Sequence, residues 1–260
     1  DANGLWEQYP VMEVASADGF ARNPALVHEF YNARRKQLLE VEPNDAHRGL
    51  VDLEEDFDVR IITQNVDDLH ERAGSKNVLH LHGELMKIRS MKVESRVYEL
   101  TADNIETSIE TRDKYGDAVR PHIVFFQEAV PNIEPAIDLV QEADIFVVIG
   151  TSLNVYPAAG LLQYVRRGIP VYYIDLHPAP VPAGIERRSR FHRQLRPFRP
   201  THRHSVGQGQ HCLLRRRPRE FDHHGSERRC HERSAARPQS FERRLVPKSH
   251  HVQRRRCQQD

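Results

Sequence analysis

The feature that most constrains this chain is a repeated change of character. Short apolar, β-branched runs stop abruptly in polar residues, and helix-period segments lie between them. Val59, Ile61 and Ile62 form one such run and predict a buried strand. It gives way to Thr63-Gln64-Asn65-Val66-Asp67, so side chains able to fix a ligand by hydrogen bonds leave the strand's carboxyl end together. Residues 68–73 then read as a short helix, with Gly74 placed to end it. A second strand over 78–81 delivers His82-Gly83 to the same edge. More runs follow at 122–126, 144–149 and 170–174. The rhythm predicts an α/β fold with a doubly wound, mostly parallel, Rossmann-like sheet. In an open sheet of that kind, ligands bind at the carboxyl ends of the strands. Two neighbouring strands would therefore present an amide pair, a carboxylate and an imidazole to one cleft.

A chain of 260 residues can bury one sizeable core, or one core plus a small module. Its net charge of +1 hides two unlike parts. Residues 1–186 carry about 31 acids against about 17 bases, and residues 187–260 about 6 against about 21, nearly all of them Arg. Beyond residue 178 apolar residues are sparse and follow no sustained period, so no core is expected there. We therefore expect a folded domain over 1–178 and a disordered basic tail over 179–260. Arg, His, Pro, Gln and Ser recur in that tail without pattern, as in a coding strand read in a shifted frame. A nucleic-acid-binding arm is the competing reading, but aromatic residues that would stack on bases are few. Cys212, Cys230 and Cys257 all lie in the tail, so the acidic part holds no disulfide framework. The His and Cys residues show no spacing suited to a metal, and none is expected. No apolar run reaches the length of a membrane span and no signal peptide opens the chain. A soluble, cytoplasmic protein without membrane partners is the expectation.

Other segments add candidates. Asn23-Pro24 reads as a helix start, with Asn as cap and Pro at the first helical position. The helix predicted over 25–39 places Tyr31 and Arg34 three residues apart, so both can meet one ligand. Asn44 is a plausible cap for a second helix over 45–55. Residues 85–120 are polar and mixed, with a possible helix over 102–109 and no cysteine. Nothing in it is spaced for a zinc site, and the segment would hold by packing alone or be poorly ordered. The strand at 144–149 ends in Gly150-Thr151-Ser152, where Gly admits a phosphate or ribose and the hydroxyls bond to it. A helix is expected over 158–167, stopped by Gly168. Asp175 follows the 170–174 strand, where it either takes ribose hydroxyls or only solvates the strand end.

TQNVD at 63–67, HERAG at 70–74, HLHGE at 80–84 and GTSLNVYPAAG at 150–160 stand in an order and spacing that closely resembles the sirtuins of bacterial type. These are NAD-dependent protein-lysine deacylases. The resemblance covers roughly the first 180 residues. It implies that Asp1 ends the family's glycine-rich turn, so that the central first strand and the turn cradling a pyrophosphate are missing from this chain. It implies NAD as cofactor, acylated-lysine proteins as partners, and acyl transfer to NAD with release of nicotinamide and O-acyl-ADP-ribose, a transferase chemistry. His82 would be the catalytic general base on a ribose hydroxyl, with His80, on the same strand face, ranked second. Gln64, Asn65, Val66 and Asp67 would hold the nicotinamide and its ribose, and Gly150, Thr151 and Ser152 the ribose–phosphate side. Tyr31 and Arg34 would admit succinyl or malonyl groups as well as acetyl. The segment 127–131 would pair with the substrate backbone, although Gln127 stands where the family has Gly. NAD glycohydrolysis or ADP-ribosyl transfer on the same scaffold, and a catalytically impaired fragment or NAD-binding module, are the competing functions.

Overall fold

The computed structural model describes residues 9–175, 185–188 and 210–216. The described chain opens with four helices, α1 (Val11–Val14), α2 (Ala17–Arg22), α3 (Pro24–Glu40) and α4 (Asp45–Asp52). The caps read from the sequence are in place. The Asn23 side chain accepts from the Leu26 amide, with Pro24 at the first helical position. The Asn44 side chain accepts from the amides of Ala46 and His47. Each cap satisfies donors that no helical carbonyl can reach. Then come β1 (Phe57–Thr63), α5 (Leu69–Ala73) and β2 (Val78–His80). Gly74 closes α5 in the left-handed conformation, φ 110°, as its position before the second strand predicts.

The polypeptide next leaves the main sheet to build a three-stranded module from β3 (Gly83–Ser90), β4 (Val97–Glu99) and β5 (Val119–Ile123). It returns through α6 (Ile133–Glu142), β6 (Ile145–Ile149), a 3₁₀ turn (Ala158–Tyr164) and β7 (Val171–Ile174). Two further strands are β8 (Glu186–Arg188) and β9 (Gln210–Arg216). Where a helix was expected over 158–167, the backbone winds more tightly and stops at Tyr164.

The main sheet has the order β2-β1-β9-β6-β7-β8. Strands β1, β2, β6, β7 and β8 are parallel, and β9 runs antiparallel between β1 and β6. All the parallel strands therefore end on one edge. The centre of the sheet is held by residues that the sequence placed in a disordered tail. Residues 211–214 (His211, Cys212, Leu213, Leu214) are all buried. They form one short apolar run inside an Arg-rich text, long enough to cross a sheet but too short to show a period. Residues 189–209 and 217–260 lie outside the described residues, and so does most of the expected tail. By contacts the chain divides after Arg217. Among the described residues no helix is long and apolar enough to cross a membrane.

Two apolar layers cover the sheet, and strand alternation sorts residues between them. Ile62, Phe146, Val148 and Leu213 pack with Ala136 and Val140 of α6 and with Leu161. Val59, Ile61, Val147, Cys212 and Leu214 pack with Leu50 of α4 on the other face. His211 lies on the α6 side, its ring stacked on Phe146 at 5.6 Å between centroids. A third cluster joins Val27, Phe30, Tyr31 and Leu38 of α3 to Leu85, Ile123 and Phe125 of the small module.

The small module is held by polar contacts as well as by packing. Arg35, fully buried on α3, donates to the carbonyls of Leu85 and Ile105 and to the hydroxyl of Thr107. Asn32 donates to the Thr107 carbonyl and accepts from its amide. Those backbone groups are thus bound outward, and the helix expected over 102–109 does not form. At the module's far end Arg96 pairs with Asp117 at 2.9 Å and lies over the Tyr115 ring. Asp113 accepts from the amides of Tyr115 and Asp117.

His211 has no hydrogen-bond partner on either ring nitrogen among the described residues. Burial holds its pKa down at about 4, against an ordinary value of 6.5. His28 is also held at about 4, by burial first and then by the charge of Arg35. The unfolded chain thus binds more protons than the folded one between these values. Stability from both groups is complete above 6.5 and is lost as pH falls toward 4. The urea midpoint should drop across that range. His211→Leu should flatten part of the drop and stabilise the fold by about 1–3 kcal/mol, the cost of an unpaired buried polar group. A midpoint for His211→Leu at or below the parent's would refute the buried position of this ring.

Candidate functional site

The strand ends bring together most of the residues singled out in the sequence. Thr63 ends β1 and His80 ends β2, and the two are register partners. The turn after β1 is braced from below. The Thr63 hydroxyl accepts from the Asn65 amide at 3.0 Å, and the Val66 carbonyl accepts from the Leu85 amide at 2.6 Å. The Asp67 carboxylate accepts from the Leu69 amide at 3.2 Å and so opens α5. The side-chain amides of Gln64 and Asn65 make no hydrogen bond among the described residues, and both side chains are half-buried. Their donors and acceptors are thus left unengaged by the described residues.

His82 stands directly against this turn. Its Nδ1 lies 3.2 Å from the Gln64 carbonyl, and its own carbonyl accepts from the Val124 amide at 2.9 Å. A carbonyl can only accept, so Nδ1 carries the proton. Nε2 is then a lone pair, and it has no hydrogen-bond partner among the described residues. Burial lowers the His82 pKa and the Gln64 carbonyl raises it, with the net shift downward. The ring is thus neutral at physiological pH, as a base must be. Gly83 follows with φ +83°, and a Cβ there would come within 2.0 Å of the His122 carbonyl oxygen. Only glycine lets β3 leave the edge this sharply while His82 keeps its place.

His80 is placed differently. Both of its ring nitrogens are engaged, Nδ1 with the Asn65 carbonyl at 3.0 Å and Nε2 with Glu71 Oε1 at 2.8 Å. Position 80 is the second-ranked candidate for the base, but its ring has no free nitrogen to offer a substrate. The Asn132 side chain donates to its carbonyl at 2.7 Å.

Tyr31 and Arg34 sit on the α3 side of the same turn. Tyr31 is 1 % exposed, its ring packed against Phe30 and Phe125. Burial pushes its hydroxyl up to about 12, with Arg34 pulling the other way. Val66 packs against the cluster that holds Tyr31. Arg34 is half-buried, its guanidinium 5.9 Å from the Phe30 ring centroid. Burial lowers its pKa, while Tyr31 and Asp67 support its charge. Tyr31, Arg34, Val66 and Asp67 therefore form one neighbourhood.

The second half of the expected site lies across β9. Gly150 follows β6, and its amide donates to the Ile174 carbonyl at 2.9 Å. Thr151 is buried, its hydroxyl accepting from the Leu153 amide at 3.1 Å. Ser152 is exposed and Asp175 half-buried at the end of β7. Gln210, the first residue of β9, is register partner to both Thr63 and Ile149, so it separates the two halves at this edge. A groove of about 420 Å³ lies elsewhere, between α3 and residues 106–109, and contains none of the strand-end residues.

Sequence reasoning missed Glu71 and the Arg120–Glu128 pair. Nothing in a lone HERAG string shows that its carboxylate reaches back to a histidine nine residues on. Arg120 grips Glu128 through both guanidinium arms, at 2.6 and 3.1 Å, and lies over the Phe125 ring at 4.0 Å. Glu128 also accepts from the Phe125 amide at 2.8 Å. This fixes the loop in which Gln127 adopts φ 77°. That is the left-handed conformation that the family's Gly favours, and here Gln127 bonds to Asp18 through both amide atoms. Among the described residues no group of three or more His, Cys, Asp or Glu side chains is arranged to hold a metal.

Residues 1–157 match the sequence profile of the Sir2 family, and the chain belongs to that family. It is 55 % identical over 190 residues to an NAD-dependent protein deacylase of Bacteroides thetaiotaomicron, covering 72 % of this chain and 80 % of the relative. It is 52 % identical over 175 residues to an NAD-dependent protein deacylase of Helicobacter pylori, covering 67 % and 75 %. Among solved structures, a Sir2 homologue in complex with NAD superposes with a TM-score of 0.64 at 36 % identity, covering 71 % of this chain and 74 % of that one. Sir2Tm bound to a propionylated peptide superposes with 0.60 at 32 % identity, covering 70 % and 80 %.

Removing the carboxylate that organises the 125–128 loop should be costly. Glu128→Ala leaves Arg120 largely buried and unpaired, and should destabilise by about 3 kcal/mol in urea unfolding. Gln127→Ala, which loses only exposed hydrogen bonds, should cost about 1 kcal/mol or less. Equal losses would contradict this assignment.

Proposed function

We propose that the carboxyl edge of the sheet carries NAD-dependent removal of acyl groups from protein lysines. The observation that supports this most is the His82 ring. It is neutral, anchored through Nδ1 to the Gln64 carbonyl, and open at Nε2 beside two unengaged amides. The relatives named NAD-dependent protein deacylase and the Sir2 homologue bound to NAD support the same reading.

The strand-end residues fit the nicotinamide–ribose end of the cofactor. Gln64 and Asn65 offer amide donors and acceptors, and Asp67 adds a carboxylate. Gly150, Thr151 and Ser152 are assigned to the ribose–phosphate side and Asp175 to the adenosine ribose. Bound there, NAD would supply the ribose carbon that takes up the acyl oxygen in exchange for nicotinamide. His82 Nε2 takes a proton from a ribose hydroxyl, and the Gln64 carbonyl steadies the resulting imidazolium through Nδ1.

Arg34 is assigned to acyl selection. A guanidinium near the turn can pair with the free carboxylate of a succinyl or malonyl group, and an acetyl group offers it nothing. Tyr31 lines the same neighbourhood, with its hydroxyl available only if the ring shifts outward.

His82→Ala should abolish acyl-peptide-dependent nicotinamide release, a loss of about 10²-fold or more, while leaving the unfolding midpoint near that of the parent. Retained deacylation would remove His82 from the chemistry. Arg34→Met should lower kcat/KM for a succinyl peptide by about tenfold or more and leave the acetyl peptide within a few-fold. An equal loss on both peptides would end the carboxylate-clamp assignment. Nicotinamide release that needs no acyl peptide would favour NAD glycohydrolysis on the same scaffold.

A further inference from the structure

His80 ends β2 and His82 follows two residues on, but their ring partners separate them. His82 meets one acceptor, at Nδ1, and its Nε2 has no hydrogen-bond partner among the described residues. His80 faces two acceptors, the Asn65 carbonyl at 3.0 Å and the Glu71 carboxylate at 2.8 Å. A neutral imidazole has one N–H and one lone pair. Both partners can only accept, so a neutral His80 would turn its lone pair toward one of them, the Asn65 carbonyl at 3.0 Å or the Glu71 carboxylate at 2.8 Å. That contact is repulsive unless an extra proton lies between them.

We infer that His80 is an imidazolium paired with Glu71, and that this pair is a positioning device that clamps the Gln64-Asn65 turn for the reaction. Three anchors converge there. His80 bonds the Asn65 carbonyl, His82 bonds the neighbouring Gln64 carbonyl, and Leu85 bonds the Val66 carbonyl. Glu71 lies on α5, the helix that starts from Asp67. The clamp therefore ties both ends of the turn to one charge pair, with the His80 ring buried and the Glu71 carboxylate partly exposed. The position of Asn65, and of the acceptor that sets the His82 tautomer, both depend on it.

The surroundings favour the charged ring. Burial alone would lower the His80 pKa, but Glu71, the Asn65 carbonyl and Glu84 of β3 outweigh it, and the net shift is upward. The Glu71 carboxyl shifts down despite burial, through His80 first and then its own amide and His70. Asp68, His70 on α5 and His47 on α4 also act on Glu71, the two histidine rings lying 4.6 Å apart. His80 is raised and so retains its proton as pH rises past 6.5, while His82 is lowered and loses its proton before that point. The surroundings thus bias His80 toward its charged form and His82 toward its neutral one.

The test is the protonation of the His80 ring in the full chain. With histidines labelled with ¹⁵N, and His80 assigned by its loss in His80→Gln, both ring nitrogens of His80 should carry protons at neutral pH. In Glu71→Gln the ring should become neutral with its proton on Nδ1, because an amide can donate to Nε2 where a carboxylate cannot. A parent His80 with one bare nitrogen at neutral pH overturns the proposal. The kinetic arm rests on the deacylase reading above. Glu71→Ala should raise KM for NAD by about tenfold, with a smaller fall in kcat, as expected for a misplaced binding turn. Glu71→Gln should restore most of the loss. A full loss in Glu71→Gln, with the turn otherwise intact, would assign Glu71 some other part. If the parent chain releases no nicotinamide from any acyl peptide, the deacylase reading fails, and the ring spectrum still decides the clamp.

Discussion

Parallel strands β1 and β6 present facing rows of backbone N–H and C=O groups, and in a buried sheet these rows must be paired. β9 pairs both at once, with seven register partners on β1 and five on β6. It runs antiparallel to its neighbours, which a lone inserted strand can do without a crossover helix. Its side chains alternate correctly for both faces: Leu213 joins the α6 layer, and Cys212 and Leu214 join the α4 layer. Without it the sheet would split into a β2-β1 pair and a β6-β7-β8 group, and the turns after Thr63 and Ile149 would lose their common edge. The placement of Gln64 and Gly150 on one side of the molecule follows from that backbone pairing before any side chain is considered.

Much of this was legible in the sequence, and for identifiable reasons. Branched residues at 59–62 and 145–149 could only be buried strands. Asn23 and Asn44 marked helix starts because a short side-chain acceptor satisfies the first free amides. The turn from Thr63 to Asp67 and the His82-Gly83 pair were visible as chemistry at strand ends. Other features depended on distant partners. The backbone at 102–109 is helix-compatible, yet Arg35 and Asn32 claim its carbonyls and amides from another helix. Helix periodicity put Tyr31 and Arg34 on one side of α3, but not the Phe125 ring that buries Tyr31. The run from His211 to Leu214 carried too few apolar residues to be distinguished from the Arg-rich text around it.

The site shows the same division between pattern and partner. Alternation along a strand places positions 80 and 82 on one face, so the sequence treats them as near equivalents. Adjacent carbonyls of the β1 turn receive the two rings, and only one ring meets a carboxylate beyond it. A single residue on α5 thereby separates their chemistry. Reading the motif as letters cannot recover that, because the deciding oxygen belongs to another element of structure.

The central strand is also the last described segment of the chain. β1 and β6 emerge from synthesis long before their shared neighbour exists. Until it arrives, two open edges face each other with nothing to bridge them, and closing the sheet requires a contact spanning most of the polypeptide. Such long-range closure slows folding, and unpaired edges invite pairing with other chains in the meantime. The order in which the ribosome delivers this protein thus leaves its nascent form exposed to aggregation at the same place where its finished form is most tightly joined.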